Sequence, residues 1–517
     1  MSTQKPPAAR ADDRRRTSGW ILGLLLVLVI AAALRILPLG HEAIDGDECF
    51  SVRAATAPLS LAWAIVRQDL VHPPLYYLLL KAWVAIAGLS PLALRMLSLV
   101  SGIAAVALTF VLARRLSLRA PYCILAALLV ALNDIHIYYS QQVRSYSFFA
   151  ALVLVFALAV LRVDDATKQR AKLGLRHWAM LSGLAVLLCY THYVGALYVA
   201  AAWLCLMAAP RERSFKIKVT ACFAVAAVLF LPWLLGEIDV YRSKGLEENL
   251  AWENLATFYD LRAVFALFTG MPEFRGGTML ALSVFCLLTI AAMRRWNGNA
   301  IAHSDISPRA AGSSADIGGG WAPRSDTATW LVLALALVPP LLLFIAASPP
   351  FSLRVFAYRH LLPSLAPAAL LLAAGVAKLA EVPGGLGRIA RVVVPVVLIA
   401  LQIVPTWPNT IHARRTPFDK IAAVLDADLA GIPAYTTYPY GIGAPVNFYA
   451  RNERVLALPE HLQTDARKIV LLFRPALPDE AERARDAKEG WRTERQLYFT
   501  NGRESRYGTE IDVLSRD

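Results

Sequence analysis

Long apolar runs separated by short, mostly basic polar segments set the pattern of this chain. About twenty consecutive apolar residues make one helical crossing of a bilayer. On that measure crossings are predicted at residues 20–39, 92–113, 121–138, 147–162, 177–192, 194–210, 217–236, 277–293, 328–347, 361–379 and 388–405, about eleven in all. Pro74 to Leu89 is a further apolar stretch, but it is short, carries Lys81 and is rich in Tyr and Trp. Those features suit a helix lying in the membrane interface. Leaving it out of the count puts Arg114-Arg115 with Arg119, Lys168-Arg170-Lys172-Arg176, Arg211-Arg213-Lys216-Lys218, Arg294-Arg295 and Arg388-Arg391 on one side, together with the N-terminal arginines. Basic loops mark the cytoplasmic side.

On this topology the opposite, outer face receives the loop 40–91, the turn Tyr138 to Tyr146, the loop 237–276, the turn 348–360 and everything after Trp407. Residues 294–327 are rich in Gly, Ser and Ala and read as a flexible cytoplasmic linker. The tail changes composition: Phe418 to Leu429 is patterned as an amphipathic helix, Lys468 to Arg474 as a buried strand and Asp479 to Trp491 as a solvated helix. The expected division is a basic cytoplasmic N-terminus over 1–19, a transmembrane domain over 20–406, and a small extracytoplasmic α/β domain over 407–517.

Composition agrees: 57% hydrophobic and only 17% charged residues cannot be hidden in one soluble core. The net charge of +14 would suggest nucleic acid in a soluble protein, but here the basic residues sit between apolar runs and no nucleic-acid partner is expected. The six cysteines show no CxxC spacing and read as small buried hydrophobes, neither a disulfide framework nor a zinc site. Arg10, Arg14, Arg15 and Arg16 precede the first run, which lacks a small-residue cleavage site and reads as a retained signal anchor.

Candidate chemistry begins at Ile44-Asp45-Gly46-Asp47-Glu48, directly after the first crossing. Carboxylates beside a bilayer cost free energy unless they are solvated, paired or used. An Asp-Glu pair in this place, then His72-Pro73-Pro74-Leu75-Tyr76-Tyr77, Arg95, and a crossing ending in Ala113-Arg114-Arg115-Leu116 resembles the GT-C glycosyltransferases. The resemblance is to the bacterial family 39 type, related to protein O-mannosyltransferases and the lipid A aminoarabinose transferase. Tyr139-Ser140-Gln141-Gln142-Val143-Arg144-Ser145-Tyr146 and Tyr358-Arg359-His360-Leu361-Leu362-Pro363 fit it too. It covers roughly residues 20–405, and departs at Gln142, where the family usually has Glu.

The resemblance implies a polytopic α-helical membrane enzyme that takes a sugar from a polyprenyl-phosphate carrier and gives it, with inversion, to a hydroxyl of a glycan, lipid or protein on the outer face. Displacement at the anomeric carbon needs a carboxylate for the acceptor proton and positive charge or a metal for the departing phosphate. Asp47 is the expected base, with Glu48 beside it positioning acceptor or metal. Asp45-Gly46-Asp47 forms a DxD pattern that could hold a divalent ion, with His192 as a further ligand; the plain alternatives are a solvated acidic loop and a hydrogen-bonded structural histidine. His72 is either a substrate or metal contact or part of a helix start. Arg144, Arg359 and His360 are candidates for the donor phosphate, against ordinary snorkelling of arginine toward headgroups. Tyr146 completes the substrate-binding set without a catalytic role. The turn-rich stretch Tyr435 to Gly443 is expected over the acceptor entrance, from position alone.

Two other classes fit less well. A transporter would place charges in mid-span and show internal repeats; a scaffold would leave the acidic cluster unexplained. Among enzymes, a carrier-dependent oligosaccharide ligase or polymerase is the alternative. High Ala, Arg and Leu usage suits a bacterium, with the protein in the inner membrane and its site facing the periplasm.

Overall fold

Ten of the eleven predicted crossings fall on one helix each, and the eleventh on two, in the computed structural model, which describes residues 7–69, 72–244, 255–257, 260–270, 282–293, 326–411, 416–450, 453–459, 464–500 and 508–516. In order these include α1 (Pro7–Ile36), α2 (Gly46–Thr56), α3 (Leu59–Asp69), α4 (Leu75–Ala87), α5 (Pro91–Arg115), α6 (Ala120–Leu132), α7 (Asp134–Ser140), α8 (Tyr146–Lys168), α9 (Leu175–Thr191), α10 (Gly195–Ala208) and α11 (Arg213–Lys244). The helices Asp326–Ala347, Tyr358–Leu379 and Gly385–Ile411 complete the main bundle.

Seven helices among the described residues are long and apolar enough to cross a membrane, and an eighth counts if α6 and α7 form one span. The remaining expected crossings are the shorter helices α9, α10 and Leu282–Met293. The predicted crossing 121–138 is not straight: α6 and α7 meet at 62°. Asn133 causes the break, because its Oδ1 caps α7 by accepting from the His136 N–H at 3.0 Å. Its Nδ2 donates to the Leu267 carbonyl at 2.9 Å and to Gln402 at 3.1 Å. The stretch expected to lie in the interface is the separate helix α4. The predicted linker lies outside the described residues up to 325, and 326–327 belong to the next helix.

Lipid is as apolar as leucine, so the bundle cannot be held by hydrophobic burial alone and depends on close packing of small residues and on internal polar bonds. The central helix Tyr358–Leu379 illustrates this: its Ala-rich apolar window is 100% buried, against 17% for the first span. It therefore fixes Arg359 and His360 at its N-terminal end. Two arginines inside expected crossings are fully buried, Arg35 and Arg95. Arg35 donates to the Ala31 and Ala131 carbonyls and to Ser140 Oγ, and its Nη2 meets His136 Nδ1 at 2.8 Å. Gly102 of α5 lets Ser140 come so close that a Cβ there would lie 2.1 Å from its hydroxyl.

The tail is an α/β unit, as its pattern predicts. The helix Phe418–Ala427 buries Phe418, Ile421, Ala422 and Leu425. Five strands, β1 (Ala434–Thr436), β2 (Val455–Ala457), β3 (Lys468–Phe473), β4 (Arg492–Phe499) and β5 (Thr509–Ser515), form one sheet in the order β2-β1-β3-β5-β4. Pairing is parallel from β2 to β3 and antiparallel from β3 to β4. Ala43, from the loop after α1, is buried in this domain's core, and the Ile44 N–H donates to Tyr449 Oη at 2.9 Å. The tail thus docks on the acidic loop. The cysteines are all free, with Cys123, Cys189 and Cys222 buried as expected, whereas Cys286 is exposed.

Candidate active site

Asp45 starts the site by ending a loop. It is the N-cap of α2, where its Oδ1 accepts from the Glu48 N–H at 2.9 Å while Glu48 Oε2 accepts from the Asp45 N–H at 3.2 Å, a complete capping box. Asp47 and Glu48 then fall in the first turn, where the exposed N–H groups favour negative charge.

The two acids part at once. Glu48 is fully buried and takes a two-pronged grip from Arg95, Nε to Oε1 at 2.9 Å and Nη2 to Oε2 at 2.8 Å. The Val143 N–H also donates to Oε1 at 2.9 Å. Arg95 finishes on the carbonyls of Glu42 and Ala43. The expectation that Glu48 positions acceptor or metal is therefore corrected: both its oxygens are spent on the scaffold. It welds α2 to α5 and to the turn carrying Arg144.

Asp47 is the acid that meets the other candidates. The charges of Arg144 and Arg359 act on its carboxylate, and Tyr440 of the tail donates to Oδ1 at 2.9 Å. Burial pushes the Asp47 pKa up, but Arg144, the Tyr440 hydrogen bond and Arg359 together outweigh it and hold the group below its ordinary value. Arg144 is buried, donates to the Asp47 carbonyl at 3.4 Å, and keeps its Nε without a partner among the described residues. Such an orphan costs about 1–3 kcal/mol or more until an acceptor fills it.

Behind them lies a histidine cluster. His72 Nδ1 meets Asp69 at 3.0 Å and its Nε2 meets Tyr146 Oη at 3.2 Å. Burial, followed by Arg144, lowers the His72 pKa well below its ordinary value, so the ring is neutral. His192 packs edge-on to His72 at 5.3 Å and to His360 at 4.9 Å between ring centroids, and stacks on Phe149. Its Nδ1 accepts from the Val194 N–H at 3.2 Å, which puts the proton on Nε2 and withdraws the lone pair a metal would need. His360 donates Nδ1–H to the Val355 carbonyl at 2.6 Å.

The structure thus brings together Asp47, His72, Arg144, Tyr146, His192, Arg359 and His360, from five separated stretches of the chain. It does not bring Asp45, Asp47 and His192 into one metal set. Asp45 is turned to its own helix, and no group of three or more His, Cys, Asp or Glu among the described residues is placed to hold an ion. The residues present do not fit a resident metal. Sequence reasoning passed over Asp69, which carries no motif, and the role of Arg95, whose charge within an apolar run was the available signal.

A multi-span helical bundle with its polar cluster on the loop after the first helix and a small α/β domain beside it is the GT-C fold. The chain is similar to ArnT from Cupriavidus metallidurans bound to undecaprenyl phosphate, over 96% of this chain and 98% of that one, at 12% identity and a TM-score of 0.55. It is also similar to the Archaeoglobus fulgidus oligosaccharyltransferase in complex with Zn and sulfate, over 93% and 73% of the two chains, at 11% identity and a TM-score of 0.52. Against the apo form of that archaeal protein the chain covers 64% of the other's length, at 11% identity and a TM-score of 0.49. No family model and no curated protein matches the sequence. At these identities the likeness is one of fold.

Proposed function

We propose that this protein is an inverting glycosyltransferase of the bacterial inner membrane, moving a sugar from a polyprenyl-phosphate donor to a hydroxyl acceptor on the periplasmic face. One arrangement carries the reading: an ionised Asp47 in the field of a buried arginine, Arg144, whose Nε lacks a partner among the described residues. A donor phosphate is the acceptor such a guanidinium needs, with Arg359 as the second charge and His72, Tyr146 and His360 lining the same space. The fold shared with an undecaprenyl-phosphate complex supports the donor class.

The step balances with these groups alone. The acceptor oxygen forms a bond to the anomeric carbon and passes its proton to Asp47. The bond from that carbon to the phosphate breaks, and the carrier leaves as polyprenyl phosphate with the electron pair, against Arg144 and Arg359. One in-line displacement inverts the centre. A carboxylate with a lowered pKa is a weak base, which suits a transition state of oxocarbenium character in which the acceptor proton moves late.

The test is a panel of radiolabelled polyprenyl-phosphate sugars with the protein in lipid, beside Asp47→Asn and with and without chelator. We expect one donor to be consumed and Asp47→Asn to lose about 10²–10⁴-fold of the rate. Consumption of no donor, or equal rates in the variant, sinks the reading. A second reading, transfer of a whole oligosaccharide, is favoured by the likeness to the archaeal oligosaccharyltransferase; the mass of the transferred group separates the two.

A further inference from the structure

The tail domain does not merely sit near the acidic loop; it reaches the expected base. Tyr440 lies in the turn Pro439–Gly443, and its hydroxyl donates to Asp47 Oδ1 at 2.9 Å. An acceptor hydroxyl must make that same bond before it is deprotonated. The approach is close along the backbone too: a Cβ on Gly46 would lie 2.5 Å from the Tyr440 carbonyl oxygen. Only glycine lets the turn settle so low over the first turn of α2.

Beside this contact is a cleft of about 350 Å³ between α2 and the tail. Phe50 and Cys49 line it from α2, and Phe448 and Tyr440 from the tail, with Arg53 at its edge. Tyr440 is therefore the wall between the cleft and the Asp47 carboxylate. Aromatic faces with a few placed polar groups are the usual lining of a small-molecule site. Arg53 is exposed and has no acidic partner among the described residues. Arg95 is spent on Glu48, and Arg144 is the group assigned above to the donor phosphate.

Resting on the transferase reading above, we propose that this cleft is the acceptor subsite. It takes a glycan that carries a negatively charged substituent, with a sugar ring against Phe50 and Phe448 and the anion at Arg53. Tyr440 holds the place of the acceptor hydroxyl on Asp47 and is displaced when the acceptor arrives. In the resting protein the tyrosine keeps water from the base, so the donor is not wasted by hydrolysis. The bonds made and broken are those of the transfer itself, with water replacing the acceptor in the side reaction.

The experiment uses full-length protein in lipid with the donor that wild-type protein consumes. Two readouts are taken: donor hydrolysis without acceptor, and transfer to octyl glucoside or octyl glucuronide, a neutral and an anionic probe. Tyr440→Phe removes only the hydroxyl. Gly46→Ala leaves Tyr440 intact but forces the turn away, so a shared effect does not come from a misfolded variant. Both should raise hydrolysis several-fold. Wild type should prefer the glucuronide, and Arg53→Gln should raise its KM about tenfold relative to the glucoside, the worth of one charge-assisted bond. If wild type consumes donor and Asp47→Asn does not, yet both Tyr440→Phe and Gly46→Ala hydrolyse at the wild-type rate, the occupancy of the base by Tyr440 is wrong. If the two probes are used alike and Arg53→Gln changes neither, the anionic acceptor is wrong. If wild type consumes no donor at all, it is the transferase reading that fails.

Discussion

At the scale of single residues, the site is a contest between burial and charge. Asp47 is drawn up by burial and drawn down further by Arg144, Tyr440 and Arg359. As the proposed base it stays ionised well below neutrality, and His72, neutral through burial and its cationic neighbours, adds no titration near neutral pH. The rate should therefore be flat with pH around neutrality, with an acid limb below the usual carboxylate value of about 4. Removing Arg144 takes away the first of the lowering charges while burial remains. Arg144→Gln should accordingly move the acid limb of the residual activity to higher pH, as well as lowering the rate. A pH–rate profile that keeps its acid limb in place would mean that Asp47 is not the titrating base. The sequence could nominate Asp47 because it sits beside a crossing where an unused acid is costly. It names Asp47 over Glu48 as the base but still gives Glu48 a place in the site, because the partners that tie Glu48 to the scaffold, Arg95 and the Val143 N–H, are distant along the chain.

At the scale of elements, Glu48 and Arg95 are the weld. The pair joins residues 47 positions apart and is fully exposed to none of the solvent. Removing one charge from such a pair leaves the other buried and uncompensated, at a cost of about 3–5 kcal/mol. Glu48→Gln should lower the thermal unfolding midpoint in detergent. Combining it with Arg95→Met should restore part of the loss, because the stranded cation goes as well. If the double variant is as unstable as the sum of the singles, the two residues are not coupled. Glu48→Gln should also reduce activity, since the Val143 N–H bond to Glu48 holds the turn that carries Arg144. Arg95 was visible in the sequence as a charge inside an apolar run, which signals a buried partner without naming it. Asn133 was less visible: one polar residue within a crossing drew no break, yet its side chain ends α6 and starts α7.

At the scale of the whole molecule, two long-range contacts put the tail and the acidic loop on the same side of the membrane. Tyr440 reaches Asp47 across 393 residues and Tyr449 reaches Ile44 across 405, so tail and acidic loop share one compartment. Hydropathy and the basic loops could outline the bundle and assign that compartment to the outside, since apolar length and arginine placement are local properties of the chain. The docking of the tail is not local, and only its position after the last crossing hinted at it. The assignment can be checked away from the site, in a background lacking Cys49 and Cys286. Gln496→Cys lies exposed on β4 of the tail, and Lys172→Cys lies exposed in the basic loop after α8. In intact spheroplasts a membrane-impermeant maleimide should label the first and spare the second until the membrane is permeabilised. The reverse pattern would put Asp47 in the cytoplasm and remove the periplasmic acceptor. Labelling of both in intact cells would break the topology between the two positions, because an odd number of crossings, the seven from 177–192 to 388–405, must separate them if they lie on opposite sides.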